Sequence, residues 1–420
     1  MTYNVVGKRF ARLDAELQVT GRSQYADDIS RPGMLYAKAL RSQHPHARIL
    51  RIDTSAAETL AGVKAVITAK DIPHNLWGLS HQDQPVLAGD KVRCYGDAVA
   101  AVAASSWEAA EEAIRRIRVD YEPLPGVFDP IEAMRPDAPK VHGDNNVIVH
   151  VPIRHNDIAQ GFRESDVIFE EKISTQMVEH AQIEPHAAIA EISPEGELLV
   201  TTSNQRPFES AFDIGKVLKV PMHKLRVICP AVGGGFGGKS EITVEPFVAL
   251  LAVKTGKPVK MVYSREEEFI ASTVRHPYLT TYKSGLKKDG TLVARQIEII
   301  SDCGAYVSFG EATLIKASVH AAGPYRIKHV SVDGYLVYTN NPVGGAMRGF
   351  GVTQLGFAYE VHMDTIAAEM GLDPVEFRLR NLFGEEGTLP TGQVVNGVTV
   401  RECVTKAAQL AGWTSEVGSR

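Results

Sequence analysis

Apolar and polar positions alternate clearly along the first third of the chain. RILRID (48–53) has period two, the pattern of a strand with one buried face. SAAETLAG (55–62) predicts a short helix closed by Gly62, and VKAVITA (63–69) is apolar enough for a strand. In SSWEAAEEAIRRI (105–117) the spacing puts Ala109, Ala110, Ala113, Ile114 and Ile117 on one helical face. The uniform runs AVAAVAASSW (98–107) and VEPFVALLAV (244–253) fall short of the ~20 residues that a membrane span needs, so they are predicted as core elements. Residues 1–130 thus form a small α/β unit ending in the proline-bearing YEPLPGVFDP.

Residues 131–160 read as a linker, because AMRPDAPKVHGDNN is rich in Pro, Gly, Asp and Asn. The second unit, 161–420, mixes strands and helices. KLRVICPAV (224–232) predicts a strand and ITVEPFVALLAVKTG (242–256) a helix capped by Gly256. Ser264 and Glu267 predict a capping box. VARQIEIISD (293–302) and SVDGYLVYTN (331–340) are further strands, and Asp373, Pro374 and Glu376 supply N-cap, N1 and N3 of a late helix. The fold class is α+β, with no internal repeat.

The chain of 420 residues is long enough for two or three domains of roughly 150 residues, and 44% hydrophobic with 23% charged residues is a globular composition. A formal net charge of -5, with no Lys/Arg block, argues against a nucleic-acid partner. The N-terminal MTYNVVGKRFARLD has no apolar h-region, so a cytoplasmic protein that does not span a membrane is expected. Cys94, Cys229, Cys303 and Cys403 show no C-x-x-C spacing, and the histidines are not paired at ligand spacing. Neither an iron–sulfur cluster nor a directly coordinated metal is therefore expected on this chain.

GGGFGGKS (233–240) satisfies the phosphate-loop pattern G-x-x-x-x-G-K-[ST], in which successive backbone N–H groups face one anion. A nucleotide site would also need a continuous apolar strand ending in a carboxylate. The nearest candidate, QIEIISD, is interrupted by Glu298. A second cluster, NNPVGGAMRGFGVTQ (340–354), sets Gly344, Gly345, Gly349 and Gly351 around Arg348 and Phe350. Two such turns, each with a phenylalanine between glycines, point to a flat ligand held between two backbone walls. The plainer alternative is a pair of tight turns with buried phenylalanines.

Together with TTSNQRPFES (201–210), these turns resemble the large molybdopterin-binding subunit of the xanthine oxidase family, the molybdenum hydroxylases. VTGRSQYADD, GMLYAKALRSQHPHARI, VRCYGDAVAAVAA, IEPHAA, GGGFGGK, SREEEF, RHPY, GAY and AMRGFGVTQ look like family stretches in family order, from about Gly7 to Trp413. Within the family the chain is most similar to the larger part of the split subunit of nicotinate dehydrogenase-type enzymes.

The resemblance implies a small α/β hammerhead-type domain followed by a larger mixed α/β molybdopterin-binding domain. It implies a molybdenum–molybdopterin cofactor, in the cytosine dinucleotide form, whose metal takes few or no ligands from protein. Gln205 matches a glutamine that hydrogen-bonds an oxo ligand of the metal. Gly235, Phe236 and Gly237 match the turn lying against the metal centre, and Arg348 with Gly349 match a second main-chain contact. Phe350 matches an aromatic ring stacked on substrate. Ser240 stands where xanthine-oxidising members carry a glutamate, which argues against xanthine. Lys316 stands where purine and nicotinate enzymes carry an arginine, which argues against nicotinate itself.

The implied reaction is hydroxylation of an electron-poor carbon of an N-heteroaromatic or related small substrate, with water as the oxygen source. The family's base glutamate belongs to a later stretch, and ECVTKAAQLAGWTSEVGSR falls where split relatives stop, so the base is expected on a second molybdopterin-binding chain; a shortened piece of a longer chain is the competing explanation. A 2Fe-2S subunit and an FAD subunit are the expected electron acceptors. A non-catalytic structural or assembly subunit of the same fold and a P-loop nucleotide-binding protein are the alternatives.

Overall fold

The computed structural model describes residues 3–414, so the last six residues of ECVTKAAQLAGWTSEVGSR lie outside the described residues. Two large sheets carry the fold. The first has seven strands in the order Leu225–Ile228, Leu198–Thr202, Ala187–Ile192, Val259–Val262, Leu35–Arg41, Ala98–Ala104, Val63–Thr68. Its seam is the parallel pairing of Leu35 with Val259 and Tyr36 with Lys260, which joins three strands of the N-terminal unit to four of the later unit. Ala98–Ala104 is the run AVAAVAA, paired on both sides and buried throughout its last six residues, hence its lack of polar alternation.

The second sheet has five strands, ordered Val167–Thr175, Tyr278–Leu286, Leu292–Gly304, His329–Tyr338, Val147–His155. Residues 131–160, expected as linker, thus include an edge strand, Val147–His155, paired only with His329–Tyr338. Its composition disguises it. Pro152 and His150 sit on an edge where a missing N–H and a polar face are tolerated.

Helices pack on both sheets. Glu245–Thr255 is apolar around most of its circumference and packs against the seven-stranded sheet through Phe247, Val248, Leu251 and Ala252. It begins at Glu245 rather than at Ile242 as the periodicity predicts, and it closes at Gly256, whose φ of 64° is the left-handed conformation of a glycine cap. Gly310–His320 and Val352–Met370 pack against the five-stranded sheet through Leu314, Ala317, Leu355 and Ile366. The predicted capping box of Ser264 and Glu267 and the Asp373 N-cap both form. Among the described residues, no helix is long and apolar enough to cross a membrane.

This architecture fixes where the glycine clusters go. The first follows the strand Leu225–Ile228 of the larger sheet, and the second follows His329–Tyr338 of the other. A short parallel ladder, Val274 with Gly344 and Arg275 with Gly345, draws the second cluster across toward the first.

Candidate functional site

The two clusters meet at backbone distance. The N–H of Arg348 donates to the carbonyl oxygen of Phe236 at 2.8 Å. A Cβ at Gly237 would stand 2.3 Å from the carbonyl oxygen of Ala346, so only glycine lets the two turns touch. Phe236 and Phe350 are both held at positive φ, 54° and 51°. For bulky side chains that is a strained backbone, which persists where the surroundings over-determine it and which marks functional sites. Each is followed by a glycine that is itself left-handed, Gly237 at 107° and Gly351 at 91°.

Between the turns opens a cleft of about 720 Å³, lined in part by Gln205, Gly235, Phe236, Gly237, Arg348 and Phe350. Gln205 is fixed from both ends. Its own N–H donates to Lys239 O at 2.7 Å, and its Oε1 accepts from the N–H groups of Gly237 (2.9 Å) and Lys239 (3.3 Å). With Oε1 so committed, the amide NH₂ of this cleft-lining residue has no acceptor among the described residues. Gly235 makes this approach possible, since a Cβ there would lie 2.4 Å from Gln205 Oε1.

The second wall is braced from behind. Arg275 donates from Nη2 to the carbonyl of Arg348 (2.9 Å) and from Nη1 to Thr353 Oγ1 (2.7 Å). Gly349 lies within this turn at φ 96°, where a Cβ would strike Thr353 at 2.3 Å. Beneath the first loop, buried His186 hydrogen-bonds Gly238 O at 3.1 Å and Glu268 at 2.9 Å, while Gln182 donates to Glu268 at 2.7 Å. Burial would raise the Glu268 carboxyl, but the hydrogen bond and charge of His186 hold it below its ordinary value.

Lys239 completes the phosphate-loop pattern in letters but not in space. Its side chain is fully buried and its ammonium pairs with Glu184 at 2.8 Å, facing away from any anion in the cleft. Burial pulls its pKa down, against the opposing hydrogen bond of Glu184. Glu184 also accepts from the N–H of Gly233 at 2.6 Å. The loop's N–H groups are partly consumed too, Gly238 on Gly235 O and Ser240 on Gly237 O, and no helix starts until Glu245. A P-loop needs those donors and that lysine for phosphate.

The remaining predicted positions lie around the same opening. Ser240 lines the cleft. Lys316, midway along Gly310–His320 and exposed, places its ammonium 5.8 Å from the Phe350 ring centroid. Residues that the sequence did not single out also contribute. Phe309 meets Phe350 edge-on at 5.9 Å, and Arg206 lies over the Phe309 ring at 5.3 Å. A signal for Phe309 exists in the letters: Phe309-Gly310 repeats the Phe-Gly pair of both turns, and Ser308 before it is left-handed at φ 48°.

Comparison with known proteins identifies the family and the fold. Residues 141–382 match the family model described as molybdopterin cofactor-binding domain, and residues 20–125 match that of the aldehyde oxidase and xanthine dehydrogenase a/b hammerhead domain. The chain is 41% identical to the nicotinate dehydrogenase large molybdopterin subunit of Eubacterium barkeri, with 97% of each chain covered. It is 38% identical to a probable xanthine dehydrogenase subunit of Bacillus subtilis, covering 96% of this chain but only 55% of that one. Among solved structures, the aldehyde oxidoreductase of Desulfovibrio gigas superposes with a TM-score of 0.92 at 30% identity, over 96% of this chain and 46% of that chain. Quinoline 2-oxidoreductase of Pseudomonas putida superposes with a TM-score of 0.90 at 29% identity, over 97% and 54% respectively.

Proposed function

Because this chain belongs to the xanthine oxidase family of molybdenum hydroxylases, we propose that its cleft holds a molybdenum–molybdopterin cofactor and one face of an N-heteroaromatic or related small substrate. The observation that carries this reading is the contact of two glycine–phenylalanine turns, Phe236 to Arg348, on opposite walls of one opening. The residues present fit such a group. The cleft is large, its walls are backbone where side chains would collide, and Gln205 offers N–H donors to an oxyanionic edge.

In this proposal Gln205, Gly235, Phe236, Gly237, Arg348 and Gly349 hold the cofactor, in its cytosine dinucleotide form. When bound, the cofactor supplies the two-electron oxidation and delivers oxygen from water. The chain's own part is binding and orientation. Phe350, with Phe309 at right angles to it, confines a flat ring at small entropic cost. Lys316 lies over the Phe350 ring and pairs with negative charge on a substrate, whereas Ser240 leaves room where a larger side chain would narrow the cleft.

The proton acceptor is proposed to come from a second molybdopterin-binding chain as a glutamate. This is supported by a cleft lining that includes no carboxylate among the described residues, and by coverage of only 55% of the Bacillus subtilis relative against 97% of the Eubacterium barkeri large subunit. Electrons would pass to a 2Fe-2S subunit and an FAD subunit in a cytoplasmic complex. Purification of the complex tests the whole reading. Molybdenum should be present in near-equal amount to this chain, and dye-linked oxidation of azaarenes should disappear in Gln205→Ala and Phe350→Ala. Molybdenum-free complex, or variants with undiminished oxidation, would contradict it.

A further inference from the structure

Beside the cleft lies a second cavity of about 450 Å³ that shares Arg206, Ser240 and Phe309 with it. Its other walls combine the aromatic Trp77, Phe208 and Phe212 with the charged Glu209, Asp213 and Lys216. Glu241, only 7% exposed, also lines it. Glu241 Oε1 accepts from the hydroxyl of Ser308 at 2.7 Å, and Oε2 is buried with no protein partner. A buried carboxylate oxygen left unpaired is costly, unless a ligand supplies the missing donor.

The charged groups around it do not supply one. Arg206 is engaged by Glu209 at 2.9 Å and lies over Phe309. Asp213 and Asp83 add negative charge, which reinforces burial in pushing Glu241 up to about 7, against Ser308 and Arg206. Asp213, on the same cavity, is itself pushed up to about 6 by burial, and Lys216 is the other cation along the wall. Aromatic and acidic walls around a buried acid with one unpartnered oxygen are the chemistry that recognises a cationic or N–H-bearing nitrogen.

We propose that this cavity is a recognition subsite for an amino or protonated nitrogen substituent of the substrate, with Glu241 Oε2 as its acceptor. The proposal rests on the reading that the neighbouring cleft receives a heteroaromatic ring, and it narrows that class to rings carrying a hydrogen-bond-donating nitrogen. Phe309, shared by both spaces, is the wall along which such a substituent leaves the ring.

Calorimetric titration of the purified complex, with no electron acceptor present, tests this with two probes. These are 4-aminoquinoline, protonated at neutral pH, and 4-methylquinoline, of similar shape but without the donor. At pH 8 the amino compound should bind about tenfold or more tightly than the methyl compound, as one charge-assisted hydrogen bond implies, and the preference should collapse in Glu241→Gln. Equal affinities in the wild-type complex, no binding of the amino compound, or a preference unchanged in the variant would overturn the subsite. The wild-type comparison stands even if the variant fails to fold. Loss of the subsite in a complex that retains molybdenum leaves the cofactor reading intact, whereas absence of molybdenum removes that reading instead.

Discussion

The N–H of Arg348 and the carbonyl of Phe236 are joined by a 2.8 Å hydrogen bond, although 112 positions separate them in the chain (348 − 236). Through it, loops that leave two different sheets become one two-walled cleft. The bond is possible because Gly237 carries no side chain, at φ 107° with Ala346 O only 2.3 Å from where a Cβ would be.

Gly237→Ala should therefore separate the walls. Relieving the clash and the left-handed strain is expected to cost about 1–3 kcal/mol. The larger effect is on retention: molybdenum per chain should fall about tenfold or more after gel filtration. Metal analysis alongside a thermal melt separates the two, and full metal content in the variant would show that the walls need not touch.

Lys239 is a structural cation in this fold. Lys239→Met leaves Glu184 buried beside the loop with no countercharge, and breaking such a pair costs roughly 3–5 kcal/mol. The double variant Lys239→Met with Glu184→Gln should recover much of that loss in chemical denaturation. ATP should not raise the melting temperature. A rise with nucleotide would restore the phosphate-loop interpretation.

Glu241 gives the chain a pH signature. Burial raises its folded-state pKa to about 7, from an ordinary value of 4.5. Below 4.5 both folded and unfolded chains hold the proton. Between 4.5 and 7 only the folded chain does, so the contribution of this group to stability falls as pH rises through that window, by on the order of 3 kcal/mol. Glu241→Gln, which mimics the neutral acid, should lack that slope. Its melting temperature relative to wild type should rise between pH 5 and pH 8, and parallel pH profiles would place the carboxylate in an ordinary solvated setting.

What the letters revealed follows from the range of the forces involved. The Ser264–Glu267 box, the Asp373 cap and the Gly256 stop depend on residues within one turn, and all three formed where the pattern put them. The two glycine turns were visible for the same reason. Their meeting was not, since it depends on the pairing of Val274 with Gly344 and on the packing of two sheets. The linker span hid Val147–His155 because an edge strand needs only half the usual apolar alternation. Arg206 escaped notice because its neighbour Gln205 carried the motif, and only the fold stacks it on Phe309. Lys239 shows the converse error, in which a correct local pattern serves a buried ion pair.

The most direct measurement is the position of the metal. Anomalous scattering at the molybdenum edge, from crystals of the cofactor-loaded complex, should place one strong peak in the cleft between Gln205, the Phe236–Gly237 turn and the Arg348–Phe350 turn. A peak elsewhere in the complex, with that cleft filled by protein side chains, would contradict the central claim.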